Sequence, residues 1–180
     1  EADVPENARY VRFQCWGKGE QMAWTQPFFL EPRPDDGDAK VIQEWLVSDL
    51  VVGGRLENSS QKEFQSLPLQ ETHAVGQGNL LHMFVDLRRQ IEDRQGLVYA
   101  SSEITAPADG RATLLFGYDG PIRIWLNGRM IFDGPGDNPA IMDSLELYAS
   151  LKKGKNSLLL AMDSHGGRAW GFFARIKFQG

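Results

Sequence analysis

The sequence predicts an all-β protein, a β-sandwich with an N-terminal extension. Three observations lead there: a series of short strand-like runs from residue 96 onward, turn residues between most of them, and no sustained amphipathic helical pattern. The runs are Leu97–Ile104, Ala112–Tyr118, Ile122–Leu126, Arg129–Phe132, Asp143–Leu147, Ser157–Met162 and Trp170–Phe178. Between them lie Ala108-Asp109-Gly110, Asp119-Gly120-Pro121, Asn127-Gly128, Lys153-Gly154-Lys155 and Gly166-Gly167.

The sharpest local signal is Ile122–Phe132, which reads as a β-hairpin. Asn127-Gly128 suits a type I′ turn, whose central residues both need positive φ. Ile122, Ile124 and Leu126 then share a core face, and Arg123 and Trp125 share the other. Leu158 and Leu160 alternate with Leu159 and Ala161, so this strand is apolar on both faces and belongs at the centre of a sandwich. In the last strand Trp170, Phe172, Ala174 and Ile176 share one face, and Phe173, Arg175 and Lys177 the other.

The first half is less regular. Tyr10–Trp16 alternates like a strand, Met22–Leu30 reads as an edge strand or extended arm because of Pro27, and Glu31–Asp38 reads as a loop. A strand is expected around Gln43–Val47, loop through most of 55–79, a strand or short turn at Leu80–Leu87 and a polar loop at 88–95. The expected domains are an extended segment over 1–40, packed on the sandwich, and the sandwich itself over 41–180.

The 180-residue chain has a net charge of −5, with its basic residues scattered, which excludes the clustered basic stripe of a nucleic-acid surface. No apolar run reaches the ~20 residues of a helical membrane span. Cys15 is the single cysteine, so no intrachain disulfide can form.

The run YASSEITAPADGRATLLFGYDGPIRIWLNGRMIF, followed by LKKGKNSLLLAMDSHGGRAWGFFARI, resembles the galactose-binding-like, jelly-roll sugar-binding domains attached to bacterial glycoside hydrolases. The resemblance rests on Asp119, Trp125 to Gly128, Leu151 to Asn156, Leu158 to Leu160 and Trp170 to Arg175, with a weaker echo in Glu44–Val47. It covers roughly the last 80 residues; the first 40 match nothing nameable. It implies a non-catalytic carbohydrate-binding or accessory module, part of a larger multidomain protein that is secreted, periplasmic or on the cell surface. It also implies a structural calcium ion, for which Asp133, Asp137, Asp143 and Asp163 offer oxygen, with Asp137 and Asp143 the metal-site candidates.

No nucleophile elbow, zinc spacing or phosphate-binding glycine pattern occurs, and His73, His82 and His165 lie far apart. Sugar recognition needs an aromatic surface against the C–H face of a pyranose and polar groups on its hydroxyls, both supplied by loops at one end of a sandwich. The candidate carbohydrate-binding residues are Trp170, His165 and Arg168 in the closing turn, facing Tyr118, Asp119 and Asn138. Trp125, Trp16 and Trp24 are alternative aromatics. Two further readings stand beside this one: a structural or protein-interaction sandwich with buried Trp125 and Trp170, and a small glycan hydrolase using two carboxylates, with Glu103 and Asp86 as candidates.

Overall fold

The computed structural model describes residues 10–11, 14–16, 22–24, 28–29, 39–77, 80–136 and 139–179. The chain divides into two compact units, Glu1–Gly37 and Asp38–Gly180. In the first unit β1 (Tyr10–Val11) pairs antiparallel with β4 (Phe28–Phe29), and β2 (Gln14–Trp16) with β3 (Met22–Trp24).

The second unit is a two-sheet antiparallel β-sandwich. Its strands are β5 (Lys40–Val41), β6 (Glu44–Ser48), β7 (Val51–Val52), β8 (Leu69–His73), β9 (Val75–Gln77), β10 (Leu80–Asp86), β11 (Gly96–Ala106), β12 (Gly110–Tyr118), β13 (Ile122–Leu126), β14 (Arg129–Gly134), β15 (Leu145–Leu151), β16 (Gly154–Asp163) and β17 (Gly171–Phe178). One sheet runs β15-β12-β17-β10-β9, with β5 also paired to β17. The other runs β14-β13-β16-β11-β6-β8, with β7 also on β11. Alternate residues of both inner faces fill one core, including Val98, Ala100, Leu114, Phe116, Ile122, Ile124, Leu158, Leu160, Phe172 and Ala174. Trp45 of one sheet meets Phe172 of the other edge-on at 4.9 Å, and its indole N–H donates to the Ile42 carbonyl.

The expected hairpin forms as β13-β14, with Asn127 and Gly128 at φ 51° and 79°. β16 is buried on both faces, as its pattern implies. Leu158 and Leu160 point into the core, while Leu159 and Ala161 join a second apolar cluster with Leu56, Leu97, Tyr99 and Trp125 on the outer face. The cover over that outer face comes from residues expected to be loop. A 3₁₀ turn (Leu56–Asn58) and α1 (Gln61–Phe64) lie there, with Val51, Phe64 and Leu67 packed against the cluster. The segment 69–77, also expected to be loop, forms β8 and β9, and α2 (Arg88–Ile91) opens the expected 88–95 loop. These elements are too short for hydrophobic periodicity to reveal them. The Asp143–Leu147 run is displaced as well: Asp143 takes φ 56° in a turn, so β15 begins at Leu145.

The turn entering β16 is held by Asn156, buried between the two hairpins. Its amide donates to the carbonyls of Lys152 (2.7 Å) and Gly154 (3.0 Å), and its oxygen accepts from Lys152 N–H and the Asn127 amide, both at 2.9 Å. Asn127 in turn accepts from Ser157 N–H at 2.9 Å, so one asparagine pair locks both turns together. Replacing Asn156 by Ala strands these groups without water. Asn156→Ala is expected to lower unfolding free energy by about 1–3 kcal/mol, read from the midpoint shift in urea denaturation at unchanged slope.

Candidate functional site

The end of the sandwich singled out by the sequence is well ordered by hydrogen bonds, and most of its residues serve the fold. Asp119, just after β12, is buried, and its Oδ1 accepts from the backbone N–H groups of Trp170 (2.9 Å) and Gly171 (3.1 Å). It therefore ties the exit of β12 to the entry of β17. Gly171 is required there: at φ 149°, a Cβ would lie 1.9 Å from the Val85 carbonyl oxygen. Tyr118 is the last residue of β12. Its ring is buried in the core, edge-on to Phe132 at 5.9 Å, because the strand alternation turns it inward.

Trp170 is half-buried, and the Arg88 guanidinium lies 5.1 Å from its ring centre, occupying a face a sugar would need. Arg88 is itself anchored through Nε to both Asp86 oxygens at 3.0 Å. His165 sits at φ 52° in the 165–168 turn, its N–H donating to Asp163 Oδ1 at 2.7 Å. Arg168 is exposed and donates through Nε to the His165 carbonyl at 3.1 Å. The structure thus brings Asp119, Trp170, His165 and Arg168 to one end, while Tyr118 faces inward. Asn138 lies outside the described residues, as does Asp137.

The calcium candidates that are described have protein partners. Asp143 is held by a two-point ion pair with Arg175, through Nε at 3.2 Å and through a second guanidinium nitrogen, with little of either side chain exposed. Asp133 pairs with Arg123 at 2.8 Å, and Asp163 accepts from His165 N–H and the Gln95 amide. Among the described residues no group of three or more metal-ligating side chains comes together.

A different feature stands out on the outer face of the β14-to-β8 sheet. Along β11 and β16 the outward residues change character halfway: Leu97, Tyr99, Leu159 and Ala161 are apolar, whereas Ser101, Glu103, Ser157 and Lys155 are polar. The 56–67 segment covers the apolar half and stops. Beyond its edge opens a groove of about 680 Å³, floored by the polar half of β11 and β16 and by Leu46 of β6, with Phe64 of α1, Glu71 of β8 and Asn127 of the hairpin at its margins. Glu44 and Thr72 also line it. Glu103 pairs across the strands with Lys155 at 3.0 Å, at an exposed position.

The groove wall is fixed by Tyr99. Ser60 caps α1 by accepting from Glu63 N–H at 3.2 Å, half of the reciprocal Ser-x-x-Glu capping pattern. In place of the other half, the Tyr99 hydroxyl accepts from Ser60 N–H at 3.2 Å and donates to the Glu63 carboxylate. Burial and the Glu63 contact hold the Tyr99 phenol well above its ordinary pKa, so it stays a neutral donor. Arg123 adds a second tether, donating to the carbonyls of Leu56 (2.7 Å) and Glu57 (3.0 Å). The sequence held two clues to this arrangement: the Ser60–Glu63 cap spacing, and the change from apolar to polar along the outward face of β11 and β16.

No family model matches this chain, and no curated protein matches it. Among solved structures, a β-glucosidase from Kluyveromyces marxianus in complex with glucose matches 76% of the chain at 16% identity and a TM-score of 0.50. This chain covers 16% of that enzyme. A β-glucuronidase from Faecalibacterium prausnitzii matches 75% of the chain at 18% identity and a TM-score of 0.46, of which this chain covers 22%. Likeness at such identity shows the fold alone. The class defined here is a two-sheet antiparallel β-sandwich with an open polar groove on one outer face.

Two outcomes follow. Burial pushes the Asp119 carboxyl up to about 7, against the pull of the backbone N–H groups of Gly171, Trp170 and Asp119 itself. A carboxyl raised in the fold contributes stability fully below its unfolded pKa near 4, and loses it as pH rises through about 7. Asp119→Asn keeps an acceptor without a charge. Relative to wild type it is expected to gain stability between pH 4 and 7, by up to about 4 kcal/mol, and to hold a constant difference above that. Parallel urea titrations across pH measure it. Tyr99→Phe is expected to cost about 1–3 kcal/mol and to speed amide hydrogen exchange in 56–67 ahead of the core strands.

Proposed function

We propose that this chain is a non-catalytic carbohydrate-binding or accessory module of the galactose-binding-like, jelly-roll kind, and that its ligand lies in the groove on the outer face of the β14-to-β8 sheet. The observation that carries this reading is the groove itself: a preformed open channel whose floor is a rigid sheet presenting hydroxyls, carboxylates and an amide beside the apolar surfaces of Leu46 and Phe64. Hydroxyl-rich ligands need such a mixture of polar groups and apolar contact, held in place before binding. The carboxylates of Glu44, Glu71 and Glu103 face Lys155 as the one cation among the groove residues named, which favours an uncharged glycan over an anionic one.

The likeness of fold to part of a β-glucosidase solved with glucose accords with this reading without specifying a ligand. In it the module belongs to a larger, exported polysaccharide-processing protein. A second reading, a structural or interaction sandwich without a ligand, draws on the burial of Trp125 and the guanidinium over Trp170.

Affinity electrophoresis in gels containing neutral plant, algal or microbial polysaccharides separates these readings. At least one polysaccharide is expected to retard the wild type. Ser101→Trp, which fills the groove, is expected to weaken that retardation roughly tenfold or more, while Trp170→Ala leaves it within about twofold. Retardation unaffected by Ser101→Trp, or absent with every polysaccharide, contradicts the proposal.

A further inference from the structure

The outer face of the opposite sheet is half covered too. The 139–144 segment lies against β12, so closely that a Cβ on Gly117 would sit 2.1 Å from the Ile141 carbonyl oxygen, and Asp143 seals this side through Arg175. Past that cover the face is open, and Tyr148 of β15 stands on it. Tyr148 is 77% exposed, the one exposed aromatic among the residues of the second unit whose side chains are described.

Its surroundings are polar: the cations Arg111 and Lys177 lie on neighbouring strands, and Glu146 lies exposed two residues away on the same face of β15. Tyr148 pairs across the strands with Thr113, which pairs with Lys177, so the three share one row of the outer face. In the next row Ser150 pairs with Arg111, and Gln179 donates N–H to the Arg111 carbonyl (2.9 Å) and its amide to Thr113 Oγ1 (3.2 Å). Tyr148, Arg111, Ser150 and Gln179 bound a shallow recess of about 320 Å³, at the small end of ligand-sized clefts. An exposed phenol ring on a rigid strand offers amphipathic contact area at little entropic cost. Arg111 beside it presents a planar fork suited to a carboxylate, with the Lys177 ammonium in the row of the ring.

We propose that this face is a second glycan contact, distinct from the groove, which takes an acidic sugar: a pyranose stacked on Tyr148 with its carboxylate directed to Arg111 and Lys177. The charge preference is opposite to that of the carboxylate-lined groove on the other sheet, and the site stands on its own observations whether or not the groove binds a glycan.

Isothermal titration of the full chain with an oligogalacturonate, and with a neutral cello-oligosaccharide of equal length, tests the site. With the groove filled by Ser101→Trp, the oligogalacturonate is expected to bind more tightly than the neutral sugar and to lose affinity as salt rises. Tyr148→Ala is expected to weaken it roughly tenfold or more, Tyr148→Phe to keep it within about twofold, and Arg111→Gln to weaken it roughly fivefold and flatten its salt dependence. Ser101→Trp, on the other sheet, leaves oligogalacturonate binding unchanged. Unchanged thermal melting of the Tyr148 variants separates lost contact from lost fold. Oligogalacturonate that does not bind, or that binds with equal affinity to wild type and Tyr148→Ala, overturns the proposal. Loss of neutral-sugar binding alone counts against the groove, not this face.

Discussion

The architecture depends on one strand that is apolar on both sides. β16 sends Leu158 and Leu160 into the sandwich and Leu159 and Ala161 out of it, so one sheet facing its partner cannot hide it. Burying a leucine side chain is worth about 1.5–3 kcal/mol relative to exposing it, and Tyr99, Leu97 and Trp125 on adjoining strands carry the same requirement. The 56–67 segment meets that requirement as a lid of short helices. The lid ends where the outward residues turn polar, at Ser101 and Ser157, and the groove is the step left at its edge. Groove and fold therefore share one cause.

Much of this was legible in the residues. The β13-β14 hairpin, the inward set Ile122, Ile124 and Leu126, and the two-faced β16 follow from period-two alternation and the Asn-Gly turn, whose reach is a few residues. The lid was not legible. Gln61–Phe64 is a single turn of helix with one half-buried aromatic, and its reason to exist is Tyr99, distant in sequence, whose hydroxyl enters the cap of that helix. Local pattern carries no trace of such a contact, although Ser60 and Glu63 at cap spacing hinted at a helix start.

The groove was not legible in the sequence for a related reason. Loop residues at the end of a sandwich invite a binding interpretation, and Asp119, Tyr118 and Trp170 were the conspicuous ones. Each has structural work in the fold: Asp119 bridges two strand ends, Tyr118 packs in the core, and Trp170 lies beneath a guanidinium held by Asp86. A buried carboxyl accepting backbone N–H groups looks the same in sequence as one awaiting a ligand. The groove residues, by contrast, are ordinary serines, glutamates and a threonine, meaningful only once β6, β8, β11 and β16 lie side by side.

The most direct measurement is amide chemical-shift mapping of the isotopically labelled chain during titration with a neutral oligosaccharide that it retains. Shifts concentrated at Leu46, Glu71, Ser101, Glu103 and Ser157, with Phe64 following and the 163–170 turn unmoved, are the predicted result. Shifts centred on His165, Arg168 and Trp170, with β11 and β16 silent, would contradict the account.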